Sequence, residues 1–183
     1  MKKFFGMTFL IAVALCAYFY NKADAQIYLD YKAYVQDAGW LAPVHAGEIA
    51  GTTGQHRRME AVIINLTDGK TGCVEYSAHV QNIGWQAKKK SGEVAGTLEQ
   101  NLRMEAIAIN LINGYEKKFD IYYRAHVENG GWLGWAKNGE PAGTAGASLR
   151  MEALQIKIVP KDSPFDRGGA GFYQKVTIVG ENV

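Results

Sequence analysis

One ten-residue phrase recurs three times in this 183-residue chain: Tyr31 to Trp40, Tyr76 to Trp85 and Tyr123 to Trp132 share Tyr-x-Ala-(His/Tyr)-Val-(Gln/Glu)-(Asp/Asn)-x-Gly-Trp. Each copy is followed by Gly-Glu-x-Ala-Gly-Thr and then Arg-Met-Glu-Ala, so that Trp40 to Met59, Trp85 to Met104 and Trp132 to Met151 all span 19 positions. The repeat period is 45 residues and then 47. A unit of this size cannot bury its own apolar face, so the copies must pack against one another, and function must be read per repeat.

The alternation within each copy specifies strands. Tyr76, Ala78 and Val80 share one face, and Ser77, His79 and Gln81 the other, which is the period of two of a half-buried strand. Asp37, Asn82 and Asn129, with the glycines just after them, supply turn chemistry before each Trp. A short strand is expected within Gly92 to Thr97 and its counterparts, and a longer one over Arg58 to Leu66, Arg103 to Leu111 and Arg150 to Ile158. In the long segment the apolar phase switches at Glu60, Glu105 and Glu152, which predicts either a β-bulge or a strand covered on both faces. Glutamates placed there need donors, and Arg58, Arg103 and Arg150, two positions upstream, are the candidates.

No stretch after residue 25 carries sustained helical periodicity. The expected fold is therefore all-β: a single closed domain with pseudo-threefold symmetry, prism-like or trefoil-like, in which closure removes exposed sheet edges. The organisation reads as a leader (1–25), three repeats (26–70, 71–117 and 118–159) and a tail (160–183). In the tail, Phe172 to Val179 alternates like one more strand and is expected to pair with the opening segment of the domain.

The leader has the form of a cleaved export signal: Lys2-Lys3, an apolar run from Phe4 to Ala17, and Ala23-Asp24-Ala25 before Gln26. The apolar run is short for a bilayer span, which needs about 20 residues. Cleavage would remove three of the 20 basic and one of the 18 acidic side chains, leaving 17 of each. A neutral chain lacks the excess of Lys and Arg from which nucleic-acid binders draw affinity, and no membrane insertion is expected once the leader is gone. Lys88-Lys89-Lys90 is the single basic run and reads as a solvated loop. Cys73 would be the only remaining cysteine, so stability must come from packing without a disulfide.

These blocks resemble the clostridial hydrophobic repeats with a characteristic tryptophan, the ChW repeats. The resemblance rests on the Tyr-x-Ala-His-Val-Gln-Asn-x-Gly-Trp phrase, on Gly-Glu-x-Ala-Gly-Thr and on Leu-Arg-Met-Glu-Ala-Ile, and it extends from Tyr31 to Ile158. It implies an exported protein whose repeats contact surfaces, saccharides or other proteins, but it assigns no ligand residue. Repeat one departs most, with Tyr34 in place of His, Leu41-Ala-Pro43 after its Trp, and His56-Arg57 where Asn101-Leu102 stands in repeat two.

Trp40, Trp85 and Trp132 are the first candidates for ligand contact, because an indole stacks on sugar rings while its N–H fixes orientation. One large aromatic per repeat also suits the filling of a small threefold core. Asp37, Asn82 and Asn129 are the polar companions of that site, and Trp135, present in repeat three alone, reads as a loop contact. His79 and His126 would need a third histidine to ring a metal on the threefold axis, and Tyr34 breaks that ring; they read instead as cross-strand partners, and neither metal nor cofactor is expected.

The six repeated glutamates, at 48, 93 and 140 and at 60, 105 and 152, raise glycoside hydrolysis as a question. Hydrolysis needs two carboxylates in different roles, whereas triplication produces like environments. The expected activity is therefore non-catalytic binding of a polysaccharide or cell-surface glycopolymer through three equivalent sites, outside the cell or on its surface. A protein–protein adhesion or scaffold role, with an extracellular protein as partner, is the alternative.

Overall fold

The computed structural model describes residues 27–69, 72–169 and 171–175; the expected leader lies outside them. The described chain is β throughout apart from one 3-10 turn at Tyr115–Lys117. Each repeat contributes a first strand (Tyr28–Val35, Val74–Val80, Phe119–Val127) and a long strand (Met59–Thr67, Met104–Leu111, Met151–Pro160) that pair antiparallel. Two further two-residue strands fold back on the first: Gly-Trp itself, and Val44–His45, Lys89–Lys90 or Ala136–Lys137. The lysine run is thus not wholly loop, because Lys89 and Lys90 pair with Tyr76 and Glu75.

The alternation predicted for the first strand is observed as strictly alternating burial of Val74–Val80, with Tyr31, Tyr76 and Tyr123 fully buried. The phase switch in the long strand is a bulge. Val35 faces Met59 and Tyr34 faces Ala61, which leaves Glu60 as the extra residue; the pairing shifts in the same way at Glu105 and Glu152.

The short strand in each repeat does not join its own sheet. Ile49–Gly51 of repeat one pairs with the long strand of repeat three, Ala95–Gly96 of repeat two with that of repeat one, and Ala142–Ala145 of repeat three with that of repeat two. The exchange is cyclic and yields three sheets around one continuous core that draws on all three repeats. Ala-Gly-Thr suits the crossing because only glycine fits. A Cβ on Gly51, Gly96 or Gly143 would lie 2.4, 2.2 or 2.4 Å from a backbone oxygen of the neighbouring long strand, and all three have φ above 100°.

The buried tyrosines clamp the same seams. The Tyr31 hydroxyl donates to Glu48 O and accepts from Ile156 N (3.0 Å), and Tyr76 donates to Glu93 O and accepts from Ile64 N (3.1 Å). Tyr123 likewise donates to Glu140 O. Burial, partly offset by the donated backbone N–H, pushes the Tyr31 and Tyr76 phenols up to about 12 and moves Tyr123 in the same direction.

The tail departs from expectation. Tyr173–Lys175 runs parallel to Ala142–Ala145 of repeat three and does not pair with the opening segment; residues 176–179 lie outside the described chain. Without the tail, Ala142–Ala145 would end the repeat-two sheet on that side, and its open edge is what the tail satisfies.

Candidate functional site at the inter-repeat seams

The fold-back of each Gly-Trp step places the indole opposite the residue at position four of the phrase. Trp40 meets Tyr34, Trp85 meets His79 and Trp132 meets His126, with ring centroids 5.4, 5.4 and 5.3 Å apart and planes near perpendicular. The two histidines are therefore the cross-strand aromatic partners expected of them, in an edge-to-face geometry that suits the indole quadrupole. The turns that deliver the tryptophans hold Asp37, Asn82 and Asn129 at φ of 59°, 64° and 58°, where a short polar side chain is best tolerated. All three side chains are exposed beside the Trp.

Beneath each ring pair lies the bulge glutamate. Glu60, Glu105 and Glu152 are 2 to 4 % exposed, and each receives the guanidinium expected for it, with Nη2 to Oε1 at 2.7 Å from Arg58, 2.7 Å from Arg103 and 2.8 Å from Arg150. Their second oxygens approach His79 Nδ1 at 3.2 Å and His126 Nδ1 at 3.1 Å, at angles off the line of a hydrogen bond. Two of the arginines also reach toward the next repeat. Arg58 donates to Asn101 Oδ1 at 3.0 Å, and Arg150 lies 3.5 Å from His56 Nδ1. Each Trp–(His/Tyr)–Glu–Arg row thus stands at a seam, with the loop after the exchanged strand of another repeat on its flank.

The three rows share a backbone and differ in how the indole is covered. The residue after the first Tyr decides it: Lys32 lies 4.9 Å over Trp40 and Arg124 lies 4.7 Å over Trp132, whereas Ser77 turns away to donate to Gln86 O. Trp85 is 42 % exposed, and Trp40 and Trp132 are half-buried. None of the three belongs to the central core. Gln86, next to Trp85, holds the exchanged strand by bonding both Gly96 N (2.8 Å) and Gly96 O (3.2 Å). Trp135 is the loop contact expected of it, though a buried one: it is 6 % exposed and packs against Phe165 of the tail.

The remaining glutamates close turns. Glu48, Glu93 and Glu140 accept the backbone N–H of His45 (2.7 Å), Lys90 (2.6 Å) and Lys137 (2.8 Å). Among the described residues, no group of three or more His, Cys, Asp or Glu is arranged to hold a metal ion.

The family profile of clostridial hydrophobic W matches the chain three times, at residues 34–68, 79–113 and 126–160. The chain belongs to the ChW family. Each matched ChW window opens on the ring that faces the Trp and runs through the bulge glutamate to the end of the long strand or just beyond, so the family pattern coincides with the Trp-to-Arg row and the exchanged strand. No curated protein and no solved structure matches it.

Sequence reasoning missed several residues of these sites. Lys32, Ser77 and Arg124 were legible in principle, because they share the outward face of the first strand with the Trp partner. Gln86 and the tail residues around Trp135 occur in one repeat each, and repeat comparison gives them no signal.

Proposed function

We propose that this ChW protein is an exported, non-catalytic binding module that recognises carbohydrate at its inter-repeat seams, with the Trp ring as platform. The observation that carries this reading is Trp85. It is a large apolar ring left 42 % exposed and propped edge-on by His79, which is backed in turn by a buried Glu105–Arg103 pair. A ring held rigid at the surface and flanked by exposed Asn82 offers stacking and hydrogen bonding to a hydroxyl-rich ligand at little cost in side-chain ordering. Seams repeated three times suit a polymeric ligand, since weak sites add by avidity.

The non-catalytic part of the reading is supported by the glutamates, all six of which have structural partners. Export is supported by the form of residues 1–25, and no helix among the described residues is long and apolar enough to cross a membrane.

A second reading, a protein–protein adhesion surface, draws on repeat two. Ile83 and Leu98 are exposed there alongside Trp85, at 50 % and 39 %, and an apolar protein partner would cover them. Tryptophan emission during titration with a panel of soluble polysaccharides separates the two. Carbohydrate recognition predicts a spectral change that Trp85→Ala reduces, with thermal stability nearly unchanged because the ring is half in water. Lack of any change and of any retention on immobilised glycans would reject it in favour of the protein partner.

A further inference from the structure

Repeat three carries a cavity that the other two repeats cannot form. It has a volume of about 260 Å³ and is lined by Arg124, Trp132, Trp135, Asp166, Arg167 and Gly168 among others. The tail builds its far wall. Trp135 N donates to Arg167 O (2.9 Å) while Arg167 Nε donates to Trp135 O (2.8 Å), so loop and tail are zipped together by a reciprocal pair. Phe165 then stacks on Tyr122 at 3.8 Å and meets Trp135 edge-on at 5.4 Å. The counterparts of Arg124 are Lys32 and Ser77, and those of Trp135 are Pro43 and Lys88, so neither of the other repeats has the parts.

The charge on these walls is unbalanced at one point. Arg167 pairs with Glu140, and Asp166 turns its carboxylate back to accept Gly168 N–H at 2.9 Å. Arg124 has no acid. Its guanidinium is clasped between Trp132 and Trp135, 4.7 and 4.6 Å from the ring centroids, and only its Nε is engaged, donating to Gln155 Oε1 at 2.8 Å. Among the described residues no carboxylate forms an ion pair with it, although burial already works against its charge. Among the described residues neither terminal nitrogen has a protein acceptor, and together they form the planar fork that matches a carboxylate.

We propose that this cavity binds a single carboxylate-bearing sugar ring, a hexuronate, with its carboxylate on Arg124 and its ring between the Trp132 and Trp135 side of the wall and the glycine-rich tail. The volume lies below the range of about 300–1,000 Å³ typical of larger ligands, which suits one ring or a chain terminus. The inference rests on the carbohydrate reading and sharpens it: the seams contact sugar in general, and repeat three selects acidic sugar.

The test is calorimetric titration of the whole chain with galacturonate, glucuronate and trigalacturonate, against galactose and glucose. Uronates are expected to bind with an affinity that falls as salt is raised, while the neutral sugars bind at least tenfold more weakly. Arg124→Gln is expected to weaken uronate binding by about 10- to 100-fold, the loss of one charge-assisted bidentate pair. Arg124→Lys should restore it only in part, because a point charge replaces the fork. Circular dichroism confirms that each variant is folded.

Equal binding of uronates and neutral sugars, or uronate binding that survives Arg124→Gln in the folded variant, overturns the inference and leaves the carbohydrate reading intact. Trp85→Ala reports on that broader reading separately, since Trp85 does not line this cavity. A chain that binds neither uronates nor neutral glycans refutes both.

Discussion

Removing one oxygen atom, in Tyr76→Phe, should cost more stability than most single changes in this chain. The Tyr76 hydroxyl donates to Glu93 O within its own repeat and accepts from Ile64 N across the seam to repeat one. Phenylalanine fills the same space, so no cavity forms and the loss is polar alone. Ile64 is fully buried, and its orphaned N–H costs about 1–3 kcal/mol. Glu93 is exposed, so water recovers part of what its carbonyl loses, and the sum is about 2–4 kcal/mol. At about 2–4 °C per kcal/mol for a chain of this size, Tm should fall by roughly 5–15 °C. Thermal melting followed by circular dichroism is the assay, with Tyr28→Phe, at a residue 50 % exposed, as a control that should not move. The same bond predicts a base limit. Burial raises the folded-state phenols of Tyr31 and Tyr76 from 10.0 to about 12, so their stabilisation is complete below pH 10 and is lost as pH rises toward 12. Tyr76→Phe should blunt that loss. A Tm within 1 °C of the parent, or an equal fall in Tyr28→Phe, would refute the role given to the seam hydroxyl.

Three further changes probe the seams and the third repeat. Gly96→Ala puts a methyl group 2.2 Å from Glu60 O and 2.6 Å from Ala61 Cα at φ +106°, and should cost about 3 kcal/mol or more in urea unfolding; Gly84→Ala, with nothing within 4 Å of the added carbon, should cost only its backbone strain of about 1–2 kcal/mol. Asp120 is fully buried; burial alone would raise its carboxyl, but Lys161, Asn138, Lys137 and the N–H of Asp162 outweigh this and hold it well below the usual carboxylate range. Its contribution is therefore complete above pH about 4 and lost as pH falls further, so Asp120→Asn should be less stable at neutral pH and show a shallower decline between pH 4 and 2 in acid titration followed by circular dichroism.

Local patterns foretold local structure well. The two-residue period of Tyr76 to Val80 describes a strand buried on one face, and the phase switch at Glu105 marks the bulge, because side-chain burial in a strand follows the pleat directly. Arg103 two positions before Glu105 was legible for the same reason, as both lie on one face near the break. The cyclic exchange was not legible: Ala95–Gly96 has the same local pattern whether it pairs within its repeat or across a seam, and only the close approach demanded at Gly96 hints at a crossing. The tail strand was assigned the wrong partner because alternation identifies a strand without naming the edge it joins. Exposure of Trp85 depended on a neighbour on the adjoining strand, Ser77 in place of Lys32 or Arg124, which periodicity does not weigh.

The seams exist only if repeat one lends its short strand to repeat three, a pairing between residues about one hundred positions apart. Nuclear Overhauser contacts of Ile49, Ala50 and Gly51 in the isotope-labelled chain read this pairing directly. The cyclic exchange predicts cross-strand contacts from Ala50 to Leu154 and from Gly51 to Ala153, with slow amide exchange at Thr52, whose N–H is bonded to Glu152 O at 2.9 Å. Contacts from Ile49–Gly51 to Met59–Thr67 of its own repeat, in place of Ala153–Gln155, would contradict it and remove the shared seams on which the candidate sites depend.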